Sequence, residues 1–78
     1  MWKEGSLKVY NSIFHYWMKA FDELSPFGIE GGKVSKLMLK RDGEIVCNYD
    51  RGWDIKPTDP DTQLALKILL HSTIIKTP

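Results

Sequence analysis

The residues best equipped for chemistry or recognition stand in one run of seven, Asn48-Tyr49-Asp50-Arg51-Gly52-Trp53-Asp54. Tyr49, Arg51 and Trp53 are of the types enriched at binding hot spots. Arg51 lies between Asp50 and Asp54 and can pair with either. Gly52 marks a bulge, a positive φ or a close backbone approach. Two readings stand side by side. In one, the run is a structural corner in which the glycine turns the chain and Trp53 plugs the end of the core. In the other, Tyr49, Arg51 and Trp53 anchor a recognition patch.

Further along, Asp50, Asp54, Asp59 and Asp61 fall close together in sequence. They could hold a general-acid pair or simply cap a helix; capping is the commoner use. His15 and His71 are isolated, and no His/Cys spacing matches a metal site. Cys47 sits in a strand pattern and reads as a small buried hydrophobe. The Gly31-Gly32 pair lacks the spacing of a phosphate-binding loop. No enzyme activity, metal or cofactor is expected.

These residues must be held by a chain of 78, enough for a single small domain over residues 1–78. The net charge is +1 and 27% of residues are charged, unlike a strongly basic nucleic-acid binder. No apolar run reaches the roughly 18 residues of a membrane span, and a signal-peptide core is not evident. The expected setting is cytoplasmic, without membrane partners.

The periodicity predicts a first strand over Trp2–Val9, with Leu7 and Val9 facing opposite to Ser6 and Lys8. A turn at Tyr10-Asn11-Ser12 leads to a second strand from Ile13 to Phe21. Both its faces are rich in apolar groups: Phe14, Tyr16, Met18 and Ala20 on one, Ile13, His15, Trp17, Lys19 and Phe21 on the other. Asp22–Lys33 reads as a long loop, pinned back by Phe27 and Ile29, and loops of that length are often functional. Val34–Lys40 is a third strand. Asp42-Gly43 is a strong hairpin signal, leading into a fourth strand that ends at Tyr49. Ile55-Lys56-Pro57 is extended. Thr58 or Asp59 caps a helix from Pro60 to about Ser72, with Leu64, Ile68 and His71 on one stripe, widened by Leu66, Leu69 and Leu70.

The expected fold is therefore α+β: a four-stranded antiparallel meander with one C-terminal helix on one face, ββββα. The expected core is Leu7, Val9, Phe14, Tyr16, Met18, Leu37, Leu39, Ile45, Cys47, Leu64, Ile68 and Leu69. A single helix covers a single sheet face, which leaves Trp17, Phe21 and His15 on the other unless the long loop hides them. Lys36, Lys40 and Met38 share that outer face. It could serve a protein partner, self-association, or stacking of single-stranded nucleic acid.

The run Gly31-Gly32-Lys33-Val34-Ser35-Lys36-Leu37 and the block Tyr49-Asp50-Arg51-Gly52-Trp53-Asp54 resemble a family of short proteins of no established activity in Firmicutes and their phages. Trp2-Lys3-Glu4-Gly5 and the acidic helix start fit it as well. The resemblance implies a phage or mobile-element accessory protein, a class that often binds and inhibits a host defence component. Three functions are carried forward. The first is a non-enzymatic binding protein acting on a protein partner. The second is a single-stranded nucleic-acid-binding module. The third is a small oligomer that sequesters a charged ligand between subunits.

Overall fold

The computed structural model describes residues 2–21, 29 and 32–74, with side chains as far as His71. Its elements are β1 (Trp2–Val9), β2 (Ser12–Ala20), β3 (Val34–Arg41), β4 (Glu44–Asp50), β5 (Trp53–Ile55) and α1 (Pro60–Ile74). The strands pair in sequence order as one antiparallel meander. The helix lies across the β1–β3 side of one sheet face. The molecule measures 32 × 31 × 20 Å, the short dimension being about one sheet plus one helix deep.

The fold class is α+β as expected, but the sheet has five strands rather than four. The added strand comes from Arg51. Its φ of 59° reverses the chain, so Trp53 returns opposite Tyr49 and Ile55 opposite Asn48. The left-handed residue of this corner is therefore Arg51, not Gly52. At the β3–β4 hairpin both central residues, Asp42 (φ 54°) and Gly43 (φ 80°), are left-handed, as a type I′ turn requires.

Phe14, Met18, Leu37, Leu39 and Cys47 form the centre of the core, with Val9, Val34 and Tyr49 around them. Ile29 joins this cluster, while Phe27 and the rest of 22–28 lie outside the described residues. Cys47 is wholly buried, and burial pushes its thiol up to about 11, which keeps it protonated and unreactive.

Three expected core residues are exposed instead: Ile45, Leu64 and Ile68. Simple alternation places Ile45 on the face of Cys47. A bulge spends Val46 between them, since Leu39 pairs with Cys47 while Lys40 pairs with Ile45. One extra residue moves Ile45 to the opposite face. In the helix the buried stripe is Thr62, Ala65, Leu66 and Leu69, not Leu64 and Ile68. Apolar residues surround most of this helix, so periodicity alone leaves its rotation open.

A polar clamp sets that rotation. Asp59 is the N-cap: its carboxylate accepts from the Thr62 backbone N–H (3.0 Å) and hydroxyl (2.7 Å). Arg41, at the end of β3, donates to both Asp59 oxygens, at 2.9 and 3.2 Å. The same guanidinium stands 5.4 Å from the Phe14 ring centroid. Two residues on, the Ser12 hydroxyl donates to Asp61 at 2.7 Å. The helix start is thus fastened to β2 and β3, and Thr62 is driven under the cap with no exposed surface. Among the described residues no buried side-chain nitrogen or oxygen lacks a hydrogen-bond partner.

Two stability predictions follow from these contacts. Arg41 and Thr62 hold the Asp59 carboxyl well below the usual carboxylate range. A depressed folded value contributes stability above the unfolded value of about 4, lost as pH falls below it. Asp59→Ala should lower stability by about 2 kcal/mol at neutral pH, as a cap and its charged partner go together. It should also flatten the loss of stability between about pH 5 and 2, read by urea melts across pH. The second concerns Gly5, where an added Cβ would lie 2.9 Å from the Tyr16 hydroxyl and 3.0 Å from its ring. Gly5→Ala must push that ring aside and should cost about 1–2 kcal/mol in the same assay.

Candidate partner-binding face

Antiparallel pairing places the outer-face side chains in straight rows across the sheet. The middle row is Glu4, Trp17, Met38, Asn48 and Ile55, one residue from each strand. On one side lies the row Trp2, Lys19, Lys36 and Asp50; on the other, Ser6, His15, Lys40 and Ile45. Among the described residues no helix or strand lies over this face. Ile29 is packed into the core, on the far side of the sheet from Trp17.

The face is aromatic at its centre and carries charges of both signs. Trp17 packs against His15 with ring centroids 4.2 Å apart. The Lys40 ammonium stands 6.0 Å from the Trp17 ring centroid. Lys19 sits between two rings, 5.8 Å from Trp2 and 5.3 Å from Phe21. Such cation–π pairs hold ammonium groups over flat surface while leaving them hydrated. Lys36 faces Asp50 at 3.7 Å. His15 Nε2 meets Glu4 at 3.0 Å; that hydrogen bond, with a smaller one from Trp17, draws the Glu4 carboxyl below its ordinary range. A shallow hollow of about 150 Å³ opens beside Trp2, Trp17, Lys36, Met38 and Asn48.

The structure divides the residues singled out from sequence into two groups. Trp17, His15, Lys36 and Lys40 share the outer face, and Phe21 adjoins them at the end of β2 through Lys19. Tyr49 turns the other way, into the core, where Trp53 packs edge-on against it at 5.0 Å. Arg51 occupies the exposed corner between them, its backbone N–H donating to the Ser35 carbonyl at 3.0 Å. The seven-residue run is therefore split by the pleat: Asn48 and Asp50 reach the outer face, Tyr49 and Trp53 the opposite one.

The clustered acids separate as well. Asp50 meets Lys36, Asp54 accepts from Asn48 at 3.0 Å, Asp59 caps α1 and Asp61 takes Ser12. Each carboxylate has a structural partner and no two of them share one. Among the described residues, no three His, Cys, Asp or Glu side chains gather as metal ligands would.

Sequence reasoning passes over Trp2 and Ile55 as site residues. The alternation Trp2, Glu4, Ser6, Lys8 carried the signal for Trp2, because it puts the tryptophan on the polar side of β1. Ile55 had no such signal, since its strand forms only after the Arg51 reversal. Among the described residues no helix is long and apolar enough to cross a membrane.

No curated protein and no solved structure matches this chain. A family model does match, over residues 1–73, and on that span the chain belongs to the family defined by the domain of unknown function DUF7678.

Proposed function

We propose that this protein is a small non-enzymatic binding protein that docks a protein partner on the open face of its sheet. The observation that carries this reading is the middle row, Glu4–Trp17–Met38–Asn48–Ile55, left uncovered by the helix. An aromatic and apolar centre edged by charges is the anatomy of a protein interface, and tryptophan is a favoured anchor there. Glu4 and Asp50 argue for protein over nucleic acid. Both lie among the lysines and would repel the phosphates that supply most nucleic-acid affinity.

The rival reading rests on the lysine–aromatic contacts at Trp2, Trp17 and Phe21, which suit stacked bases. The partner's identity rests on different ground. The Tyr49–Asp54 block and its likeness to Firmicutes and phage proteins support an accessory protein of phage or mobile-element origin. On that origin, a host defence component is the class of target we favour, with inhibition as the consequence.

The test is capture from a host extract, followed by reconstitution with the identified protein. Trp17→Lys should weaken the stoichiometric complex at least about tenfold, as loss of a buried aromatic anchor does. Leu64→Lys, on the exposed side of α1, should leave it intact. Circular dichroism and melting establish that both variants fold. Binding unchanged by Trp17→Lys would overturn the proposal. So would capture that transfers to a single-stranded oligonucleotide and collapses with added salt.

A further inference from the structure

We propose that β1 is a self-association edge, through which two copies pair β1 against β1, antiparallel about a two-fold axis at Ser6, to join their sheets into one of ten strands. The inference concerns the β1 edge, which shares Trp2 and Glu4 with the margin of the docking face, and it does not rest on the docking reading.

The two edges of the sheet are built differently. β5 is three residues long and meets β4 through a register shift. β1 is eight residues long, contains no proline and pairs with β2 in unbroken register from Trp2 to Val9. A long regular edge presents a row of backbone donors and acceptors to any strand that matches it. Natural sheets shorten, bulge, charge or cover such edges; β5 is short and shifted, whereas β1 keeps its full length and regular register and carries the charges Lys3, Glu4 and Lys8. Among the described residues no strand lies beyond β1.

The side chains of β1 are complementary to themselves. A two-fold normal to the sheet keeps both outer faces on one side and pairs residues whose numbers have a constant even sum. Centred on Ser6, that register sets Glu4 opposite Lys8 of the second copy, and Lys8 opposite its Glu4. Trp2 then lies at each end beside the turn that carries Tyr10 of the second copy. Centring on Gly5 leaves Glu4 opposite Ser6, and centring on Leu7 places it beyond the end of the second copy's strand. Only the Ser6 register satisfies both charges, and opposite charges directly across an antiparallel pair are favourable.

The ends of the strand support the same partner. Trp2 is 59% exposed and Tyr10 76% exposed, which makes Tyr10 the most exposed of the large apolar side chains described. Tyr10 also holds a φ of 54°, a conformation costly for a bulky residue and natural to glycine or asparagine. The left-handed backbone thus holds a large exposed ring beside the end of β1. Lys3 is the one charge on the helix side of β1, and it is exposed near the strand's end, clear of the central pairs.

Charge exchange tests the register. Light scattering after size exclusion, at about 100 µM, should give twice the 9.0 kDa of the single chain. Glu4→Lys and Lys8→Glu should each raise the dimer dissociation constant at least about tenfold, because each sets like charges opposite at two symmetric points. The double exchange should bring it back to within about threefold of the parent. Both positions are exposed, and circular dichroism establishes that each variant folds. A parent mass of 9.0 kDa at every concentration would refute the proposal. So would a dimer indifferent to the single exchanges, or one that the double exchange fails to restore.

Discussion

The bidentate pair between Arg41 and Asp59 governs what the rest of this small domain can do. It joins the last residue of β3 to the cap of the only helix described, and it sets the helix rotation by drawing Thr62 under the cap. With that rotation fixed, Ala65, Leu66 and Leu69 meet the sheet, and Leu64 and Ile68 do not. A helix of fifteen residues can cover one face of a five-stranded sheet and no more. Among the described residues nothing else covers the second face, and its composition supports the proposed partner. A sheet face meant for water alternates polar groups; this one sets Trp17 and Met38 at its centre.

The division of labour between faces explains the fate of the Asn48–Asp54 run. As a string it looks like one patch. The pleat sends Tyr49 inward and Asn48 and Asp50 outward, while the left-handed Arg51 returns Trp53 beside Tyr49. The run serves as a structural corner through Tyr49 and Trp53, while Asn48 and Asp50 border the proposed docking face. The Lys36–Asp50 contact ties the corner to the outer face, so part of the run still borders the proposed docking surface.

Much of this was legible in the chain. Alternation along β1 and β2 placed Leu7, Val9, Phe14 and Met18 correctly, and Asp42-Gly43 announced its hairpin. The opposite facing of Trp17 followed from the same count. What escaped has a common cause: single-residue events that break periodicity. The extra Val46 reversed Ile45, the φ of Arg51 created β5, and an ion pair between residues eighteen apart chose the helix face. None of these leaves a mark in hydrophobic pattern, because each is decided by backbone geometry or by a contact distant in sequence.

The most direct measurement uses the three tryptophans as reporters, since they stand in different places: Trp17 at the centre of the outer face, Trp2 on its β1 margin, Trp53 on the helix side. Their indole N–H resonances can be followed as the captured partner is added. The account predicts that Trp17 shifts most, Trp2 follows, and Trp53 stays in place. A shift confined to Trp53 would move the working surface to the opposite side and contradict the account.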